Sequence, residues 1–127
     1  MGAGRPLRTV DQMDVFTLQE QLTTSQLAVL DVRTADEWHA GHIRDAGFMP
    51  YTSMARQLDR PSRLAELPFG TDERVAVTCA AGNRSSTAIS LMLRHGFRNL
   101  VNVTGGMEAW ANAGLPMTSP GQTESEH

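Results

Sequence analysis

The pattern of apolar and polar positions divides the chain into two kinds of segment. The order of these segments predicts strands that are followed by helices. Three short runs are almost continuously apolar and rich in β-branched residues, as is typical of strands buried on both faces of a parallel sheet. These runs are 28–32, Val75–Thr78 and Leu100–Val103. A weaker extended segment is predicted within residues 10–16, near 13–16.

The starts and stops of two helices are also visible in the sequence. Thr17 with Glu20, and Thr34 with Glu37, have the spacing of a capping box, in which the first side chain and the fourth satisfy backbone N–H groups at a helix start. The first of these helices is expected to run to about residue 22, and the second to end at Gly41.

Strands that alternate with helices through short loops predict an α/β fold with a mainly parallel sheet. With 127 residues, the chain is long enough for one domain, which we place at residues 9–116. Residues 1–8 are rich in Gly, Pro and Arg and are predicted to be flexible, and residues 117–127 to form a disordered C-terminal tail.

Charge and hydropathy narrow the function classes. A net charge of −3, with no basic run, argues against nucleic acid as a partner. No stretch approaches the roughly 20 apolar residues of a membrane span, and the N-terminus has no apolar signal core. The sequence therefore predicts a cytoplasmic protein with no membrane partner.

The single cysteine, Cys79, directly follows the predicted strand Val75–Thr78. One cysteine excludes an internal disulfide and a multi-cysteine metal site. It also excludes an internal resolving thiol, so a group carried on Cys79 has to be passed to another molecule.

A loop of small residues follows Cys79 and opens into a helix that carries Ala88 and Met92 at helical spacing. Backbone N–H groups at a helix start present partial positive charge, and Arg84 adds a full charge on the same loop. Such surroundings favour the nucleophilic thiolate form of a cysteine. Ser85 or Ser86 is the predicted N-cap. The alternative is an inert core cysteine, but the small residues and Arg84 favour an anion-binding loop.

Three motifs in this order resemble those of single-domain rhodanese-like sulfurtransferases, over residues 10–116. The loop Cys79-Ala-Ala-Gly82-Asn-Arg84-Ser85 is similar to the Cys-x-x-Gly-x-Arg-Ser active loop of that family. The other two are Asp31-Val-Arg33 with Glu37-Trp38 and Gly41-His42-Ile43, and Gly105-Gly106 with Ala109-Trp110 and Gly114-Leu115-Pro116. The chain departs from the family pattern at Arg44-Asp45, where Pro-Gly is usual.

The resemblance implies a rhodanese-like three-layer sandwich with a mainly parallel central sheet and helices on both faces. It also implies that Cys79 takes a sulfane sulfur from thiosulfate or a similar small anionic donor and holds it as a persulfide. The acceptor is then cyanide, a thiol or a sulfur-acceptor protein, and no metal or organic cofactor is required. The residues expected to bind the donor are Ala80, Ala81, Gly82, Asn83, Arg84 and Ser85.

Several polar residues of the other motifs are expected to have structural roles. Asp31 and Arg33 are predicted to form an ion pair, and Glu37 to cap a helix. His42 follows a helix end, where histidine interacts with the helix dipole, so we do not assign it as a base for Cys79. Trp110 is predicted to anchor the core.

Two other functions are considered as alternatives. Phosphatases and arsenate reductases of related fold use a Cys-x5-Arg loop, which would require Arg at position 85, where this chain has Ser85. Arg84 closes the loop one residue earlier, so the loop is expected to be too small for phosphate. A non-catalytic rhodanese-like binding or regulatory module is the other class, although such modules tend to lose the cysteine that this chain retains.

Overall fold

The computed structural model of the chain describes residues 11–24, 27–60, 62, 67, 69–81 and 84–118. Within these residues, strands and helices alternate as the sequence predicts. The strands are β1 (Asp11–Met13), β2 (Ala28–Asp31), β3 (Gly47–Phe48), β4 (Val75–Thr78) and β5 (Leu100–Val103). The helices are α1 (Val15–Thr24), α2 (Ala35–Ala40), α3 (Met54–Leu58), α4 (Arg84–Arg94) and α5 (Gly106–Asn112).

The five strands form one sheet in the order β1-β5-β4-β2-β3, and every neighbouring pair is parallel. After β2 the chain moves to β3 on one side, whereas after β4 it moves to β5 on the other side. The connections therefore diverge between β2 and β4. In an open parallel sheet, the crevice at the carboxyl ends of two such strands is the usual place for a ligand.

Apolar side chains cover both faces of the sheet, which makes a three-layer α/β sandwich. Successive residues of a strand point to opposite faces. Leu30 packs in the cluster that also contains α3 and α4, whereas its neighbour Val29 packs in the cluster that contains α1 and α5. Both clusters are formed by buried residues, and Trp110 of α5, 2% exposed, is among the largest of them. The predicted packing role of Trp110 is thus confirmed.

The first strand and helix differ from the prediction. β1 ends at Met13, and the residues assigned to an extended segment at 15 and 16 belong to α1. Asp14 caps this helix, since its Oδ1 accepts a hydrogen bond of 2.8 Å from the Thr17 backbone N–H. The capping box predicted from Thr17 was therefore wrong. The β-branched and aromatic residues at 15 and 16 have strand propensity, but an aspartate cap and the packing of Leu18 favour the helix.

The second helix agrees with the prediction. Thr34 and Glu37 form both bonds of the capping box, and Gly41 is the C-cap of α2. The predicted strand at 28–32 is one residue shorter than expected. β4 and β5 have the predicted bounds.

Backbone pairing extends past the predicted domain boundary at residue 116. Thr118 forms an isolated antiparallel bridge with His42, and each backbone N–H donates to the other residue's carbonyl at 2.8 Å. Thr118 falls within the segment predicted to be a disordered tail, so its pairing departs from that prediction at this residue. The other predicted domain bounds stay predictions. Residues 1–10 and 119–127, with the predicted flexible N-terminus, lie outside the described residues. No helix in the described part of the chain is long and apolar enough to cross a membrane.

Candidate functional site

Cys79 is the first residue after β4, at the carboxyl end of the strand and beside the point where the chain connections diverge. The adjoining Thr78 is paired with Asp31 of β2 in the sheet register, so the ends of β4 and β2 lie side by side. Cys79 is fully buried. The only cysteine of the chain thus lies at the crevice where this topology places ligands.

The loop that follows Cys79 is held by the first amides of α5. The Met107 N–H donates to the Cys79 carbonyl at 2.7 Å, and the Glu108 N–H donates to the Ala80 carbonyl at 2.8 Å. In a trans peptide, the N–H of the next residue points opposite to the carbonyl. The amides of Ala80 and Ala81 therefore point away from α5, and they are directed together. Adjacent backbone amides directed to one side are suited to bind an anion.

Gly106 permits this close approach between α5 and the loop. A Cβ at this position would lie 2.8 Å from the Ala80 carbonyl oxygen, and closer still to that of Cys79. Its φ of +57° also lies in the left-handed region that residues with a side chain rarely adopt. The second glycine of the closing motif therefore has a definite role in shaping the loop.

Arg84 is the first residue of α4, and its side chain is held by residues from other parts of the chain. Its Nη2 donates to both carboxylate oxygens of Glu37, at 3.2 and 3.1 Å. The guanidinium carbon also lies 5.5 Å from the centre of the Tyr51 ring, a cation–π distance. The bond to Glu37 raises the pKa of Arg84, and the nearby Cys79 and Tyr51 add to that increase.

Glu37 therefore has two partners. One of its oxygens accepts from the Thr34 backbone N–H at 3.0 Å in the capping box of α2, and the carboxylate also accepts from Arg84. Partial burial acts to raise the pKa of Glu37, but the bonds from Thr34 and Arg84 outweigh it, so that this pKa lies below its ordinary value. Glu37 thereby links the segment after β2 to the segment after β4.

Ser85 is buried in the first turn of α4, and its hydroxyl donates to Asn102 Oδ1. Asn102 lies in β5, and its Nδ2 in turn donates to Gln12 at 2.8 Å. Because α4 already begins at Arg84, neither Ser85 nor Ser86 is the N-cap, and that prediction was wrong. While Ser85 donates to Asn102, its proton is not offered to a bound anion, so a donor-binding role for this hydroxyl requires a change of partner.

The charged residues at the end of β2 and just after it are paired as predicted. Arg33 Nη2 donates to Asp31 at 2.7 Å and to the Gly41 carbonyl at 2.7 Å, and both side chains are buried. His42 stacks on Trp38, with 3.4 Å between ring centres, and its Nδ1 lies 2.8 Å from the Trp38 carbonyl. Because a carbonyl only accepts, Nδ1 carries the proton. This bond at the end of α2 agrees with the structural role predicted for His42.

Other proteins resemble this chain in sequence and in fold. The rhodanese-like domain family matches residues 15–113. The chain belongs to this family. A rhodanese-like domain protein from Staphylococcus aureus is 30% identical, with a TM-score of 0.69, and the match covers 87% of this chain and all of that one.

Curated relatives of this rhodanese-like domain carry sulfurtransferase names. A sulfurtransferase of Allochromatium vinosum is 32% identical over 112 residues, which is 87% of this chain and 97% of the relative. The chloroplastic thiosulfate sulfurtransferase 16 of Arabidopsis thaliana is 32% identical over 105 residues, 79% of this chain and 87% of the relative.

A small groove adjoins the cysteine loop of this rhodanese-like domain. It has a volume of about 280 Å³, and its walls include Ala80, Glu37, Met107 and Glu108. A larger cavity of about 470 Å³ lies at the opposite, amino ends of the strands and is lined by Ala28 and residues of α1 and α5, among others. The larger cavity is therefore not the candidate site, because Cys79 lies at the carboxyl ends of the strands.

Of the predicted site residues, the structure brings Cys79, Ala80 and Arg84 together with partners from α2 and α5. Gly82 and Asn83 lie outside the described residues. The donor-binding roles of all six predicted loop residues stay predictions. Among the residues described, there is no cluster of three or more His, Cys, Asp or Glu side chains that is placed to hold a metal ion.

Sequence reasoning missed three contributors to this site. Asn102 has a visible signal, since it is a lone polar residue within the apolar strand β5. Gly106 was recognised only as part of a motif, and Glu37 only as a cap. The contact between Glu37 and Arg84 spans 47 positions, but both residues follow strands that are neighbours in the sheet.

Proposed function

We propose that this rhodanese-like domain is a sulfurtransferase that uses thiosulfate, or a similar small anionic donor, and carries the sulfur on Cys79. The Cys79 thiolate attacks the outer sulfur of thiosulfate. A sulfur–sulfur bond forms to Cys79 while the bond to the sulfonate sulfur breaks, and its electron pair leaves with sulfite. The product on the protein is a cysteine persulfide.

The position of Cys79 at the carboxyl end of β4 carries this proposal. The fixed carbonyls of Cys79 and Ala80 turn two successive loop amides in the same direction, which suits the anionic part of a donor. Arg84, whose pKa is raised by its bond to Glu37, stays protonated near the thiol and attracts the donor, although Glu37 offsets part of its charge. These groups stabilise negative charge during the transfer without a metal ion.

The second half of the reaction passes the sulfur to a thiophilic acceptor. Cyanide or a thiolate attacks the outer sulfur of the persulfide, and the electron pair of the broken bond returns to Cys79 as thiolate. Because Cys79 is the only cysteine, no second thiol of the same chain can take this step. The acceptor is therefore a small molecule or another protein.

The test is a steady-state assay of thiocyanate formation from thiosulfate and cyanide, with wild type and Cys79→Ser. We expect turnover by wild type and none by the variant, because an alkoxide at this position does not carry sulfane sulfur. Circular dichroism serves to check that the variant is folded. Turnover that persists in Cys79→Ser would overturn the assignment of Cys79, and hydrolysis of a phosphotyrosine mimic that depends on Cys79 would favour a phosphatase.

The full burial of Cys79 favours a second candidate function, a non-catalytic rhodanese-like binding module. A buried thiol in an apolar environment is often inert. A persulfide-specific probe separates the two functions after incubation with several sulfane-sulfur donors. Labelling of wild type but not of Cys79→Ala supports the transferase, whereas failure of every donor supports the binding module.

The compartment in which the protein works stays a prediction. The sequence predicts a cytoplasmic protein, while one of the relatives described above is named as chloroplastic. The proposed sulfur transfer is chemically the same in either compartment.

A further inference from the structure

Glu37 places a carboxylate directly against the one arginine of the cysteine loop. The pair joins α2 to the start of α4 across the crevice between β2 and β4. Glu37 is also one of the residues that line the groove beside Ala80. The loop entrance therefore carries a negative charge as well as a positive one.

Two fixed contacts keep this carboxylate in place. The capping bond from the Thr34 N–H, at 3.0 Å, ties it to the N-cap residue of α2, and Arg84 contacts both of its oxygens. These bonds together hold the pKa of Glu37 below its ordinary value, so the carboxylate is charged at neutral pH. A bound donor thus meets a paired arginine, with a fixed anion beside it.

An anion beside Arg84 affects donors according to their charge. Each negative charge of a donor is attracted by Arg84 and repelled by Glu37. A doubly charged donor gains more from an unpaired arginine than a singly charged donor does, and it loses more when that arginine is paired. The side chains are 26% and 36% exposed, so water and salt reduce these interactions without abolishing them.

We propose that Glu37 is a positioning residue that sets the charge preference of the loop, holding Arg84 in a neutral pair and thereby favouring singly charged sulfane-sulfur donors of the thiosulfonate class relative to doubly charged thiosulfate. This inference rests on the proposed sulfurtransferase function. With a thiosulfonate, the Cys79 thiolate forms a bond to the terminal sulfur, the bond to the sulfonyl sulfur breaks, and its electron pair leaves with a sulfinate. Charge and atoms balance, and no oxidant or reductant is needed.

Glu37→Gln separates the charge of this residue from its position. Glutamine serves as well as glutamate at the fourth position of a capping box, and its carbonyl oxygen still accepts from Arg84. The matched control is Asp36→Asn, which removes the same charge from the neighbouring, exposed residue of the same helix. Asp36 has no ion pair with Arg84 among the described contacts.

The first readout is the ratio of kcat/KM for thiosulfate to kcat/KM for methanethiosulfonate. We expect Glu37→Gln to raise this ratio about fivefold in favour of thiosulfate, and Asp36→Asn to leave it within about twofold. A purely structural role for Glu37 would lower both values together. An unchanged ratio in Glu37→Gln, or an equal change in Asp36→Asn, would overturn the inference.

The second readout does not require sulfur transfer. Sulfate and methanesulfonate carry two charges and one, and neither has a transferable sulfur. Their affinities are measured by titration, from the NMR shifts of the Ala80 and Ala81 amides. We expect the affinity ratio of sulfate to methanesulfonate to rise about fivefold in Glu37→Gln. Absence of binding by both anions would overturn the inference, while binding without sulfur transfer in any assay would overturn the proposed function alone.

Discussion

The segment after β2 and the segment after β4 lie side by side at the same edge of the sheet, and each leads into a helix, but different groups hold them. After β2, the partners are close in sequence: Arg33 bonds to Asp31, the last residue of β2, and to the Gly41 carbonyl. After β4, the partners come from elsewhere in the chain. The carbonyls of Cys79 and Ala80 are bonded by α5.

This difference indicates a division of labour between the two segments. In the first segment the buried charges of Asp31 and Arg33 satisfy each other, so they are not available to a ligand. In the second segment, α5 donates to the carbonyls of Cys79 and Ala80, so the amides of the cysteine loop point away from α5. The small side chain of Ala80 leaves room for a ligand beside these amides. Glu37 belongs to the first segment and contacts Arg84 of the second, so it joins the two.

Removal of Arg33 tests the claim that the segment after β2 is held by its own charges. Arg33→Met leaves the buried carboxylate of Asp31, 1% exposed, without its cation. We expect the free energy of unfolding in urea to fall by about 3 kcal/mol or more. The control is Arg98→Met, which breaks an exposed pair with Asp72 and should cost about 1 kcal/mol or less. Similar losses in both variants would contradict the claim.

The second prediction tests whether the loop after β4 depends on α5. Gly106→Ala places a methyl group against the carbonyl oxygens of Cys79 and Ala80, whereas Gly114→Ala, also at positive φ, meets no atom within 4 Å. We expect a cost of about 1 kcal/mol for Gly114→Ala, from backbone strain alone, and of about 2 kcal/mol or more for Gly106→Ala. Only Gly106→Ala should also shift the amide signals of Ala80 and Ala81. Equal effects of the two substitutions would show that the close approach of α5 does not matter.

A smaller effect is expected from the ion pair that joins the two segments. Because the folded-state pKa of Glu37 lies below its ordinary value of 4.5, the unfolded chain binds the proton more readily. The contribution of the pair to stability is therefore complete above pH 4.5 and is lost as pH falls through the folded-state pKa. Glu37→Gln should remove this part of the pH dependence, which amounts to about 1 kcal/mol or less. The free energy of unfolding in urea is measured between pH 3 and 7, with Asp36→Asn as the control. The same pH dependence in Glu37→Gln and in wild type would contradict the pairing.

Most of the sheet was predictable from the sequence, for physical reasons. β4 and β5 are short and rich in apolar, β-branched residues, which is typical of strands buried on both faces. The capping box of Thr34 and Glu37 is a local interaction over three residues, so spacing alone finds it. At the start of α1, local signals conflicted, and the Asp14 cap overrode the strand propensity of residues 15 and 16.

The contacts that shape the candidate site were not predictable, because they join distant positions. Spacing along the chain does not reveal that Asn102 accepts from Ser85, or that α5 donates to the Cys79 carbonyl. The bridge between Thr118 and His42 lies beyond the last motif, in a polar stretch whose composition is typical of a flexible tail. Composition describes what a segment can bury, but it does not report the backbone bonds that hold one residue in place.

Intact mass measurement under non-reducing conditions tests the central claim most directly. The purified protein is incubated with thiosulfate and weighed beside Cys79→Ala. We predict a gain of one sulfur atom, roughly 32 Da, in wild type alone, and its loss on addition of cyanide or a thiol. No gain in mass with thiosulfate, or an equal gain in Cys79→Ala, would contradict sulfur transfer from thiosulfate through Cys79.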